Sequence, residues 1–399
     1  MSRFVFLFGT AILQSACDRT NYAIENEDIA SDGFKVVVNV SPQQWSIPVE
    51  IQTELQIGRA EGEGPEVFGE IYGLAVDSIG RIAVLDGLKT HIVVFDSSGV
   101  YERQFLQKGE GPGEVERAIG LFGGRDGSLW TIDSNNGRFA VFDFSGDFRG
   151  FFPRHATGFV LPWRPVMDAE GRIYDLRLDL LAGDGETPQG QAVRNPGRWD
   201  EGISRFTLTR TDLVDGSVTV YPPVDKRYHL LVTGRPAPSY SHFTFTLDAR
   251  GFIWHTDIGP EYRVFQRSFE GDTLLLFTRE VSGRELTDDE RDSLVTGYLR
   301  GGSRLGSTDL PKTKRAVARI SVTDSGLIVV QVNSEGEEQE ANFDVFSRDG
   351  EWLGSLHWDV PFVSQFAPIF SRCRVYGIVL DEMDVTYLVV GKIEELCDD

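Results

Sequence analysis

The sequence predicts an all-β fold, a six-bladed β-propeller in which small sheets close into one ring. Three observations carry that prediction. Short β-type runs recur in a fixed order, parted by polar turns that repeat Asp-x-x-Gly. The first-turn glycines Gly80, Gly127 and Gly171 lie 47 and 44 residues apart, within the range of propeller blades. Strand-like pieces are also left over at both chain ends, and joining them would remove an open sheet edge.

The clearest unit runs from Ile71 to Glu114. Leu74–Val76, Ile82–Leu85, Ile92–Phe95 and Tyr101–Leu106 are rich in β-branched and aromatic residues and too short for helices. The first three are almost continuously apolar, as strands covered on both faces must be. Turns at Asp77–Gly80, Asp86–Thr90 and Asp96–Gly99 part them. Asp bonds its own backbone two residues on and Gly supplies positive φ, so these read as hairpins. One such sheet is marginal in water and needs copies to cover its faces.

In chain order, residues 1–17 (MSRFVFLFGTAILQSAC) read as an export signal: Arg3, an apolar core from Phe4 to Leu13, then small residues. That core is too short for a permanent membrane helix. The Ala16-Cys17 ending resembles a bacterial lipoprotein signal, which implies lipidation of Cys17, although Gln14 stands where an aliphatic residue is usual. Residues 18–34 are polar and acidic and read as a tether. Residues 35–399 are then one propeller domain, opening with strand-like runs at Lys35–Val40 and Val49–Ile57.

Further units follow at Ile119–Phe152, from Trp163 to about Tyr221 with a polar insertion around 182–201, and from His242 to Phe265. Thr287 with Glu290, ahead of Leu294, Val295, Tyr298 and Leu299, predicts a capped amphipathic helix within 284–300. A fifth unit runs from Val317 to His357, and a sixth, Arg374–Glu394, supplies two strands. Five complete units and a partial one closed by N-terminal strands make six.

Where Gly-Glu-Gly-Pro-Gly-Glu, Asp-x-x-Gly-Arg and Phe-Asp-x-x-Gly recur together, the chain resembles NHL-like six-bladed β-propellers, in particular an exported bacterial lipoprotein group. Leu310-Pro311, Phe343–Phe346 with Gly350–Gly354, and Val375–Asp381 extend the match over roughly residues 50–394. The resemblance implies the fold and adds little on activity.

Thirty-nine Lys and Arg against 61 Asp and Glu give a formal charge of −22. Nucleic acid is an unsuitable partner, since phosphate binding needs a positive footprint. Lys312-Thr-Lys-Arg315 reads as a solvated loop. With Cys17 lipidated, Cys373 and Cys397 remain as an even pair flanking two strands of the last blade, and a disulfide between them is expected; two free thiols are the rival reading.

No G-x-S-x-G, H-E-x-x-H, Walker or C-x-x-C motif is present. Second-to-third strand turns and between-blade loops fall on one face, which gathers Asp86, His91, Asp133, Asn135, Asn136, Arg138 and Asp257 with Glu61, Glu63, Glu110 and Glu114. That face is the expected binding surface, and His242 with His255 would approach in the fourth blade. The favoured reading is a monomeric, lipid-anchored, periplasmic or cell-surface propeller. It binds protein, peptide or glycan without catalysis and without a resident cofactor, Ca being the one cation this reading admits. The alternative is a Ca- or Zn-dependent hydrolase, lactonase or lyase working in the central channel.

Overall fold

A computed structural model describes residues 33–124, 126–156, 165–182, 201–222, 224–229, 245–256, 261–289, 313, 315–333, 340–360, 362 and 367–397. The expected helix at 284–300 lies mostly outside these; Asp288 and Asp289 are helical. His242, Asp257 and Cys17 lie outside them too.

The chain is a six-bladed β-propeller. Blade 1 is Ile71–Val76, Ile82–Asp86, His91–Phe95 and Tyr101–Phe105, paired in that order. Blade 2 is Ala118–Gly123, Ser128–Asp133, Arg138–Asp143 and Phe148–Pro153. Blade 3 is Val166–Met167, Ile173–Ala182, Glu201–Thr211 and Val218–Val220, with Val224–His229 also on its third strand. Blade 4 is Phe245–Leu247, Ile253–Thr256, Glu261–Arg267 and Thr273–Ser282. Blade 5 is Val317–Val322, Ile328–Val332, Ala341–Phe346 and Trp352–Trp358. Blade 6 takes Ile369–Ser371, Arg374–Leu380 and Thr386–Lys392 from the C-terminus and Gln52–Ile57 from the N-terminus.

The last blade therefore owns three C-terminal strands, where the sequence pattern predicts two, and the ring closes through a single N-terminal strand. Gln56 pairs with Val389 and Gln52 with Lys392 in an antiparallel ladder. The remaining N-terminal strands go elsewhere. Lys35–Asn39 lies parallel to the outermost strand of blade 4, and Val49–Glu50 parallel to that of blade 5. The segment is thus a belt that steps outward-edge to outward-edge from blade 4 to blade 6. Asn39 fixes it in place, donating to Thr278 O (3.3 Å) and Gly350 O (2.9 Å) and accepting from Trp352 N (2.8 Å).

The Asp-x-x-Gly turns form because one carboxylate closes two bonds. Asp77 Oδ1 accepts from Ile79 N (3.0 Å) and Arg81 N (2.8 Å), while Gly80 N returns to Asp77 O. Gly80 sits at φ +88°, a conformation open to glycine. The same pair of acceptances recurs at Asp96, Asp143, Asp168, Asp248 and Asp381. In blade 5, Thr323 and Ser347 do the same job with hydroxyls.

Each seam between blades holds its own apolar cluster. Leu85, Val94, Leu121 and Phe142 join blades 1 and 2; Phe122, Trp130 and Ile173 join 2 and 3; Tyr174, Leu208 and Ile253 join 3 and 4. Trp254, Phe277, Ile328 and Phe346 join 4 and 5; Val329, Phe343, Val375 and Val389 join 5 and 6. Ile57, Ile71, Tyr376 and Leu388 join 6 back to 1, closing the circle. Burying one such side chain contributes about 1.5–3 kcal/mol, and no single sheet could bury both its faces alone.

Candidate functional site

The face of the ring with the second-to-third strand turns also carries the between-blade loops, as the sequence predicts. Gly87 N donates to Glu70 O (2.8 Å), Ser134 N to Arg117 O (3.0 Å) and Asn333 N to Ala316 O (2.9 Å), each tying a turn to the loop before its blade.

The aspartates of this face are buried fasteners. Asp86, fully buried at the end of its strand, accepts from Gly69 N (2.7 Å), Glu70 N (3.4 Å) and Lys89 N (3.1 Å). Lys89 Nζ stands 3.9 Å and His91 Nε2 4.0 Å from its carboxylate. Asp133 is its counterpart in blade 2. It accepts from Glu116 N (3.2 Å), Arg117 N (3.4 Å), Asn136 Nδ2 (2.8 Å) and Arg138 Nε (2.9 Å). Arg138 then covers the Phe151 ring at 3.5 Å. Each carboxylate serves its own blade, so Asp86 and Asp133 are not brought together. Asn135 is an exposed turn residue. His255 is buried and stacked on Phe265 with ring centroids 5.0 Å apart.

The glycine- and glutamate-rich loop between blades 1 and 2 is held the same way. Glu114 accepts from Gly111 N (2.9 Å) and Gln107 Nε2 (2.8 Å), and those bonds keep its carboxyl below the usual range. Its acidity is spent on loop shape. Among the described residues, no three His, Cys, Asp or Glu side chains converge as metal ligands.

An open concavity remains beside the fasteners. A cleft of about 290 Å³ lies between the loop entering blade 1 and that blade's outer strands, lined by Glu63, Gly64, Pro65, Lys89, His91, Tyr101 and Gln104. It offers one acid, one base, an imidazole and a phenol ring. Burial pushes the His91 imidazole below its ordinary 6.5, against the opposing pull of Asp86, so it is neutral at pH 7 and able to donate or accept. His91, Glu63 and, within the Asp86–His91 stretch, Lys89 fall on this face in the sequence pattern, whereas Tyr101 and Gln104 differ in no local way from other strand residues.

Two further polar sites tie blades together. Arg154, following blade 2, meets Asp175 of blade 3 through Nε–Oδ2 (2.5 Å) and Nη2–Oδ1 (3.1 Å). Burial raises the Asp175 carboxyl despite the guanidinium beside it. In the seam of blades 4 and 5, Asp344 accepts from Arg279, from Tyr262 Oη (2.9 Å) and from Ser355 Oγ (2.7 Å).

At the edge of blade 6, Cys373 and Cys397 are free thiols; Cys397 Sγ donates to Ile393 O (3.4 Å), and the neighbouring Cys373 thiol together with burial pushes the Cys397 thiol up to about 11. Ile393 N donates to Cys373 O (2.8 Å) beside them. Cys373 follows the first strand of the blade and Cys397 the third, one strand later than the sequence pattern implies.

Residues 60–151 match a family described as a 6-bladed beta-propeller, DUF5128. No curated protein matches the chain. Among solved structures, it resembles a DUF4221-family protein from Bacteroides vulgatus ATCC 8482 at 13% identity and TM-score 0.51, covering 86% of this chain and 98% of that one. A candidate exported protein from Bacteroides fragilis NCTC 9343 aligns at 12% identity and TM-score 0.49, covering 90% and 99%. A gluconolactonase from Xanthomonas campestris aligns at 12% identity and TM-score 0.41, covering 80% and 85%. At these identities the likeness is one of fold.

Proposed function

We propose that this chain is an exported, lipid-anchored propeller that holds a protein, peptide or glycan on its loop face without transforming it. The observation that supports this reading most is where the face's carboxylates go. Asp86, Asp133 and Glu114, the groups best suited to acid–base or metal chemistry, are occupied by backbone N–H donors and basic side chains of their own loops. The cleft beside them presents a rim of mixed charge around an exposed Tyr101, a composition suited to adaptable polar recognition. The signal-like residues 1–17 with Cys17 support export and anchoring.

Two experiments test the reading. Membrane-extracted protein should carry acyl mass on the residue-17 peptide and lose it in Cys17→Ser. Purified protein, screened against peptide and glycan arrays, should retain ligands that Tyr101→Ala releases. Metal-dependent hydrolysis of lactones or esters, abolished by Asp133→Ala, would overturn the non-catalytic reading.

A further inference from the structure

Blades 1 and 2 share one register, so the side chains around the blade 1 cleft have counterparts in blade 2. Asp86 pairs with His91 as Asp133 does with Arg138. Val93 pairs with Gln104 as Ala140 does with Phe151, and Phe95 with Tyr101 as Phe142 does with Phe148. The loop above the cleft is repeated too. Val67 N donates to Gly64 O (3.1 Å) and Glu114 N to Gly111 O (3.0 Å), closing the same Gly-Pro turn before each blade.

In blade 2 this place is filled from within. Phe148 and Phe151 pack with ring centroids 4.7 Å apart, and Arg138 lies over Phe151 at 3.5 Å. Arg138 Nη2 also donates to Glu110 O (3.4 Å), and the loop comes down on Phe148, whose Cβ would lie 3.7 Å from a Cβ added at Gly113. Blade 1 replaces the two phenylalanines by Tyr101 and Gln104 and the clamping arginine by the shorter His91. The cleft of about 290 Å³ occupies the space those fillers take up in blade 2.

The exchange also frees polar atoms. Asn136 and Arg138 bond the Asp133 carboxylate at 2.8 and 2.9 Å, whereas Lys89 Nζ and His91 Nε2 stop 3.9 and 4.0 Å from that of Asp86. Lys89 Nζ donates to Val67 O, which uses one of its three protons. Phe95 meets the Tyr101 ring edge-on at 6.5 Å and steadies it, yet Tyr101 stays 45% exposed. Gln104 and Glu63 are exposed beside it.

This mixture narrows the ligand. Glu63 accepts, Lys89 donates, Gln104 does both, and the neutral His91 does either. Opposite charges around one space favour neither an anion nor a cation. An apolar ligand would leave these groups desolvated and unpaired. A sugar hydroxyl donates and accepts at once, so a ring of hydroxyls can answer all four groups while its apolar C–H face lies on the Tyr101 ring.

We propose that the blade 1 cleft binds one sugar unit of a glycan, stacked on Tyr101 and hydrogen-bonded by Glu63, Lys89, His91 and Gln104. Such a site presupposes the non-catalytic binding face described above and narrows its ligand to a carbohydrate.

The full chain is tested at pH 7 by saturation-transfer NMR and titration calorimetry against a panel of neutral mono- and disaccharides, with a library of short peptides run in parallel. At least one sugar should receive transfer at its ring C–H protons. Tyr101→Ala should abolish that transfer, and Gln104→Ala should weaken binding about tenfold, as the loss of one hydrogen bond does. His91→Arg with Gln104→Phe rebuilds the filling of blade 2; it should bind no sugar and unfold no earlier than wild type. Arg149→Met, on the outer strand of blade 2, should bind as wild type. A blank across the sugar panel, or undiminished transfer in the rebuilt variant, would overturn the proposal. Peptides held in a Tyr101-dependent way in place of sugars would overturn the sugar assignment and leave the binding face standing. Sugar bound and then chemically changed would support the assignment and overturn the non-catalytic reading.

Discussion

Blades 1 and 2 and blades 4 to 6 solve the same problem with different materials. Blades 1 and 2 are self-contained: four strands each, Asp-x-x-Gly turns of close design, and outer edges ending at Tyr101–Phe105 and Phe148–Pro153. Their partners are within about one repeat in sequence. Blades 4 and 5 each take a fifth, parallel strand from the N-terminal belt, and blade 6 cannot be completed without it. Asn39 reaches partners 239 and 311 residues away. Local pattern is enough to build a blade; closing the ring is a long-range event, and its entropic cost is offset by belt contacts on three consecutive edges.

Removing the belt should sharpen that contrast most. Deleting residues 33–58 strips blade 6 of its outermost strand and blades 4 and 5 of their edge cover, and the cooperative thermal transition should disappear. Deleting 33–47 leaves Gln52–Ile57 in place, so a lower but cooperative midpoint should remain. Equal behaviour of the two truncations would mean that closure has no special role.

The seam of blades 4 and 5 should come next. Asp344→Ala leaves Arg279 withdrawn from water without its carboxylate, at a cost of about 3–5 kcal/mol in denaturant unfolding. Asp133→Ala in blade 2 should cost a comparable amount, because Arg138 is 22% exposed against 17% for Arg279 and the loss also strands the Glu116 and Arg117 N–H groups.

The cysteine pair tests whether the late half relies on a covalent tie. Mild oxidation should join Cys373 to Cys397, seen as loss of two hydrogens in the intact mass. On the chain-entropy account the bond then contributes about 3 kcal/mol. Retention of two alkylatable thiols after oxidation would refute the pairing.

The smallest effects are in pH. Asp96 is held low by the Ser98 hydroxyl and the Val100 N–H, and Asp381 first by the Val385 N–H. Their depressed carboxyls contribute stability that is intact above about 3.8 and lost as pH falls through the lower folded values. His91 works earlier in the titration. Its folded value lies below 6.5, so the unfolded chain takes up the proton first and stability declines as pH drops below that point, levelling off once the folded imidazole is also protonated. His91→Gln should flatten that part of the curve and leave the acid limb unchanged.

Much of the fold was legible because its determinants are local. Asp77 with Gly80 announces a turn, and Ile82–Leu85 announces a strand covered on both sides. The belt was not legible, since nothing in Lys35–Asn39 distinguishes a strand bound for blade 4 from one bound for blade 6. Blade 6 was miscounted for a physical reason. Val375–Asp381 repeats the pattern of Ile71–Asp77, the innermost strand of blade 1, yet three residues, Ile369–Ser371, occupy the inner place and are too short to show a period. Of the site, Asp86 and Asp133 were correctly placed on the loop face, but composition could not tell a fastener from a reactive group. Arg315 reads as solvated from its charged neighbours, yet it is half-buried, which a local charge run does not reveal.

The closure itself is best tested by a cross-link. Gln52→Cys and Lys392→Cys, made together in a chain whose native cysteines are replaced by serine, place thiols on directly paired residues of the first and last strands, at a spacing a disulfide can span. Oxidation should link them in nearly all molecules and raise the unfolding midpoint. Two thiols that stay free and equally reactive in the folded protein would contradict a ring sealed by its own ends.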